Sequence, residues 1–171
     1  MAEHYTYSVF DKNASQKIKE TVLRLSKGKP CVMVCVGSVK VTGDALAPLV
    51  GTMLRSNGYK GFVYGTMNAP VTAKEVDEYG KTLKTLHPDS VIVAVDSAVG
   101  GADEVGEVKV INAPLSPGLA IKRNLNKMGD ISVIGVVSER KDDNFKALKE
   151  TDFCLVGKMA KVITDGLGEV G

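Results

Sequence analysis

Two aspartates carry most of the chemistry that this sequence offers. Asp44 ends the segment Gly37-Ser-Val-Lys-Val-Thr-Gly-Asp44, and Asp96 follows the apolar run Ser90-Val-Ile-Val-Ala-Val95. Two carboxylates a few ångströms apart cannot both ionise comfortably, so one retains a proton and serves as an acid while its partner serves as a base. The same pair can instead hold a divalent cation that activates a water. Taken one at a time, each aspartate also has a purely structural reading. Asp44 precedes a helical pattern, where an N-cap is common, and Asp96 follows a strand, where a turn is common.

The elements around the two residues argue that they converge. Residues 31–36, bounded by Pro30 and Gly37, are continuously apolar and rich in valine, the pattern of a strand buried on both faces. Residues 44–57 follow as a helix whose apolar face is Leu46, Leu49, Val50, Met53 and Leu54, with Pro48 in the first turn and Asn57-Gly58 as its stop. A short strand over 61–64, a helix over 72–87 and a buried strand over 90–95 complete a β-α-β-α-β series. An earlier helix over 13–27 carries Ile18, Val22 and Leu25 at helical spacing, with Asn13 and Gln16 placed as a capping box.

Such a series calls for parallel strands with right-handed crossovers. With the first strand central, the spatial order begins 2-1-3, and the chain direction reverses between strands one and three. Ligands in these sheets bind outside the carboxyl ends of the strands at that reversal. Asp44 lies in the loop after strand one and Asp96 at the end of strand three, so both face one crevice. Backbone of Gly37, Ser38, Thr42 and Gly43 in the first loop, and of Gly100 and Gly101 in the second, is placed to bind substrate and to direct N–H groups at a developing oxyanion.

Residues 107–111 alternate polar and apolar, as a half-exposed edge strand does. Only about ten non-helical residues precede them, too few for a parallel crossover, so this fourth strand runs antiparallel. A helix over 117–126, a fifth strand over 131–137 and a helical region from about 143 finish the chain. No linker or repeat divides it, so residues 1–171 read as a single α/β domain. The apolar face of the last helix (Leu155, Met159, Val162 and Ile163) packs on the core or on a second copy, which leaves a homo-oligomer open.

Other polar residues are weaker candidates. His4 falls in the N-terminal tail. His87 precedes strand three and belongs to the wrong end of the sheet. Asp103, Glu104 and Glu107 read as solvated loop charges, and Lys122 and Arg123 as surface charges. The loop from Gly37 to Asp44 has neither a G-x-G-x-x-G nor a G-K-[ST] ending, and no G-x-S-x-G occurs. A nucleophilic serine or cysteine has no histidine partner.

The formal net charge is +2 with dispersed basic residues, which argues against nucleic acid as a partner. No apolar run reaches the ~20 residues of a membrane span, and no signal pattern opens the chain. Three cysteines (Cys31, Cys35 and Cys154), two of them inside an apolar run, fit reduced thiols in the cytoplasm.

The stretch Val36-Gly-Ser-Val-Lys-Val-Thr-Gly-Asp-Ala-Leu-Ala-Pro-Leu-Val-Gly51 resembles the signature of the YyaC sporulation proteins of spore-forming bacteria. Tyr64-Gly-Thr66, Ala94-Val-Asp96, Pro114-Leu-Ser-Pro-Gly118 and Gly129-Asp130 extend the resemblance over roughly residues 31–165. That family is similar to the spore germination protease and, more distantly, to the endopeptidases that mature nickel-iron hydrogenases. The resemblance implies essential aspartates at Asp44 and Asp96, a protein or peptide substrate, and a peptidase active during sporulation. The alternative is a binding or regulatory module of the same fold without catalysis. It also implies a three-layer α-β-α, phosphorylase/hydrolase-like fold with a mixed five-stranded sheet of order 2-1-3-5-4, strand 4 antiparallel. Thr72 stands where close relatives carry histidine, and Ala47 where they carry glycine. With no histidine to complete a metal triad, no cofactor is expected beyond a divalent metal on the aspartate pair.

Overall fold

A computed structural model of the chain describes residues 2–116 and 127–171. The apolar run Cys31–Cys35 forms strand β2, and all five of its residues are buried. Its alternation sorts them onto two faces. Cys31, Met33 and Cys35 join a core with helices α1 (Ala14–Ser26), α2 (Leu46–Ser56) and α5 (Phe153–Leu167), whereas Val32, Val34 and Val36 meet Val76 and Leu83 of α3 (Val76–Leu86) on the other side. Burial on both faces is why the run is continuously apolar.

Strand β4 (Val91–Gly100) pairs in parallel with β2, and β3 (Val63–Tyr64) pairs in parallel with the other edge of β2. On its far side β4 pairs in parallel with β6 (Ile131–Glu139), which pairs antiparallel with β5 (Glu107–Ile111). Strand β1 (His4–Ser8) then pairs antiparallel with β5. Among the described residues the mixed sheet thus has six strands in the order β1-β5-β6-β4-β2-β3.

This corrects the expectation of five strands, and the order of the sheet differs accordingly. The missed strand alternates exposed His4, Thr6 and Ser8 with half-buried Tyr5 and Tyr7, so it lacks the apolar run that announces a core strand. His4 therefore begins an edge strand rather than lying in a tail. A second correction concerns β4, which does not end at Asp96. It continues to Gly100 because β6 pairs with it as far as Glu139, whereas its pairing with β2 stops at Cys35 opposite Val95.

The helices follow their patterns with local adjustments. α1 starts without a side-chain cap from Asn13; the Asp11 carboxylate accepts the Asn13 N–H instead, and Gln16 donates to Glu20. A 3-10 turn over Gly43–Ala45 precedes α2, and Pro48 lies in the first turn of that helix, where no N–H is missed. The helix expected from residue 72 begins only at Val76. The C-terminal region divides into α4 (Asn144–Lys149), capped by Asp143, and α5, capped by Asp152. The helix expected over residues 117–126 lies outside the described residues, and with it Lys122 and Arg123.

The apolar face of α5 packs on this chain's own core through Val156, Met159, Ala160, Ile163 and Leu167. Among the described residues no helix is long and apolar enough to cross a membrane. Ile163 is fully buried. Replacing it with alanine should lower stability by about 2–5 kcal/mol, read as a lower urea midpoint at an unchanged m-value.

Candidate carboxylate cleft

Because β4 outruns β2, the sheet has a step at the carboxyl end of β2. The chain leaves that strand through Val36, which is bridged to Val71, and Gly37, whose N–H donates to the Val71 carbonyl at 2.9 Å. A side chain at Gly37 would collide with the carbonyl oxygen of Asp44, so only glycine lets the loop fold back this tightly. The carboxylate of Asp44 closes the loop by accepting the Ser38 N–H on Oδ2 at 2.7 Å.

Above the step lies a cleft of about 500 Å³. It is lined by Val36, Gly37, Ser38, Lys40, Val41 and Asp44 from the end of β2 and the loop after it, by Asp96 and Ser97 of β4, by Thr72, Ala73, Lys74 and Glu75 before α3, and by Phe145 and Leu148 of α4. Asp44 and Asp96, 52 positions apart in sequence, line the same cleft.

The two carboxyl groups share a neighbour. The Ser97 N–H donates to Asp96 Oδ1 at 2.7 Å, and the Ser97 hydroxyl donates to Asp44 Oδ1 at 3.4 Å. Burial pushes the Asp96 carboxyl well above the ordinary carboxylate range; the charge of Asp44 pushes it further, and the Ser97 N–H offsets only part of this. Asp44 is raised as well, again by burial, but the Ser38 N–H and the Ser97 hydroxyl oppose the rise. Asp96 is 8% exposed, and its Oδ2 receives no hydrogen bond among the described residues. The surroundings therefore favour the neutral form more strongly at Asp96 than at Asp44.

The expected backbone donors are differently placed. Gly37 and Ser38 line the cleft, but their N–H groups are engaged by Val71 and Asp44. Thr42 and Gly43 lie outside the lining, and Gly43 packs closely on Thr151, Leu148 and Val137. Gly100 ends β4 and accepts from the Arg140 N–H, while the Gly101 N–H donates to Glu104. Glu104 also pairs with Lys109, and Glu107 belongs to β5; neither they nor Asp103 line the cleft. His87 shares a hydrogen bond with the Tyr64 hydroxyl at 2.9 Å and packs on Phe62, outside the cleft.

Sequence reasoning missed Ser97, Lys40, Lys74, Glu75, Phe145 and Leu148. The T-x-x-E spacing of Thr72 and Glu75 was the available signal: Glu75 accepts both the N–H and the hydroxyl of Thr72 just before α3, without the reciprocal side-chain bond of a capping box. Phe145 carries no local signal, because α4 reaches the cleft only through the tertiary fold.

A resident metal fits this cleft poorly. Asp44 already accepts a hydrogen bond on each oxygen, Glu75 is held by Thr72, and among the described residues no three histidine, cysteine or acidic side chains stand together as a metal site. Cys31 and Cys35 are buried and unpaired, Cys154 is exposed and unpaired, and burial pushes the Cys35 thiol up to about 12.

These features define an α/β protein with a mixed sheet and a two-carboxylate cleft at the carboxyl ends of its parallel strands. The chain belongs to the family described as "Protein of unknown function (DUF1256)", which matches residues 6–166. It is similar to the "Uncharacterized protein YyaC" of Bacillus subtilis (strain 168), with 35% identity over 153 residues, 89% of this chain and 75% of that protein.

The raised Asp96 has a consequence for stability. In the folded state Asp96 holds its proton to higher pH than in the unfolded chain, so folding binds protons and stability falls as pH rises from ~4 toward the raised value. Asp96→Asn removes that loss while keeping an oxygen for the Ser97 N–H. The variant should melt ~2 °C or more above the parent at pH 7, and the two should converge below pH 4 in thermal scans.

Proposed function

We propose that this chain is a hydrolase of the germination-protease type, which cleaves a peptide bond in a protein substrate during sporulation. One observation carries the reading: a desolvated carboxyl, Asp96, faces the same cleft as a second carboxylate that is better provided with hydrogen-bond donors. Paired groups whose environments push their proton affinities apart are the mark of an acid–base site. The reaction class comes from the resemblance that the sequence around Asp44 and Asp96 bears to the germination protease.

The chemistry needs only water and the two side chains. Asp44 accepts a proton from the attacking water as the new C–O bond forms, and Asp96 gives its proton to the carbonyl oxygen. When the tetrahedral species collapses, the C–N bond breaks and the leaving amine takes the proton held by Asp44. Asp96 recovers its own from the hydroxyl that becomes the new carboxyl group. Since the N–H groups of Gly37, Ser38 and Gly101 are engaged, Asp96 replaces a backbone oxyanion hole in this scheme.

A second reading is a binding or regulatory module, and the bond from Ser38 to Asp44 favours it, since closing a loop is a structural task. A proteome-derived peptide library with mass-spectrometric detection of new termini separates the two. The peptidase reading expects cleavage by the parent chain and a loss of at least ~10³-fold in both Asp44→Asn and Asp96→Asn, each still folded by circular dichroism. Absence of new termini, or equal cleavage by folded variants, would leave the binding module.

A further inference from the structure

Ser97 is the residue whose position the proposed chemistry has not used. It is buried at 7% exposure, it lines the cleft, and it follows Asp96 directly on β4. It contacts both carboxyl groups with different atoms: the backbone N–H goes to Asp96 Oδ1 and the hydroxyl to Asp44 Oδ1. The first bond is available to any residue at this position, because it comes from the main chain. The second needs a hydroxyl.

The two bonds also differ in length. At 2.7 Å the N–H bond is fully formed, whereas the hydroxyl bond at 3.4 Å is longer than the ~2.7–2.8 Å usual for O–H donors. Bonds of this kind in unliganded sites are often long and tighten when substrate fills the cleft. A hydroxyl donor to a carboxylate stabilises its charged form and fixes the orientation of its lone pairs. With Oδ2 tied to Ser38, a bond on Oδ1 leaves Asp44 one orientation in the cleft.

We propose that Ser97 is a positioning residue that holds Asp44 as the proton acceptor of the pair and so fixes which carboxyl acts as base and which as acid. This rests on the acid–base reading of the cleft, but it is a statement about the resting site. The other ionisable side chains lining the cleft are Lys40, Lys74 and Glu75, and Glu75 is turned toward Thr72. Ser97 is therefore the neutral side chain that, beside the Ser38 main-chain N–H, donates to Asp44.

The test is a carbon-13 NMR titration of the aspartate carboxyl carbons, with the two signals assigned through Asp44→Asn and Asp96→Asn. In the parent chain the pair should titrate in two steps, the lower one centred on Asp44. Ser97→Ala should raise the lower midpoint by on the order of one pH unit, and Ser97→Thr, which keeps a hydroxyl, should restore it. Thermal melting confirms that both variants fold. An unchanged lower midpoint in folded Ser97→Ala would overturn the proposal, as would a lower step that belongs to Asp96. Covalent labelling of Ser97 by a fluorophosphonate would overturn it too, because Ser97 would then be the attacking group. Two separated steps that depend on Ser97, with no cleavage in the peptide library, would keep the positioning role and sink only the peptidase reading.

Discussion

Burying a carboxyl group beside another carboxyl group is costly, and the architecture around Asp96 is what sustains it. An isolated carboxylate in a protein interior shifts its proton affinity instead of remaining charged. Asp96 is placed in that position because β4 continues past the end of β2 while β6 keeps pairing with it. Had β4 ended with β2, the side chain would stand in a solvated turn with an ordinary proton affinity. The step in the sheet thus creates both the cleft and the desolvation that makes a carboxyl chemically useful there.

The second aspartate depends on a different constraint. Asp44 reaches the cleft because the loop from Gly37 doubles back on itself, and that return is possible only where a side chain is absent. The Ser38 N–H and the Ser97 hydroxyl then solvate the Asp44 carboxylate in place of water. Two aspartates of identical chemistry are both raised by burial but to different degrees: one sits in a β-strand interior and the other in a hydrogen-bonded loop. Lys40 and Lys74 line the same cleft, so its lining includes basic as well as acidic side chains.

Much of this is legible in the amino-acid sequence. The continuous apolar run at residues 31–36 announced a doubly buried central strand, and the switch-point argument brought Asp44 and Asp96 to one crevice. The short connection before Glu107 announced an antiparallel strand, which the pairing of β5 with β6 shows. What escaped was information held in pairing rather than in pattern. His4–Ser8 becomes a strand because β5 offers an unpaired edge, and the segment Asp96-Ser-Ala-Val-Gly100 stays extended because β6 runs beside it. Local sequence there reads as a tail and a turn. The free N–H groups expected of Gly37, Ser38 and Gly101 were lost for the same reason: each finds a partner that only the folded chain brings near.

The account stands on a neutral Asp96 beside a charged Asp44, and infrared difference spectroscopy observes that state without a substrate. The spectrum of the parent chain minus that of Asp96→Asn, recorded at pH 7, should show the carbonyl band of a protonated carboxylic acid, absent from the variant and sensitive to deuterium exchange. A difference spectrum containing only the bands of an ionised carboxylate would contradict the account, because Asp96 would then carry a charge and could not serve as the acid of the pair.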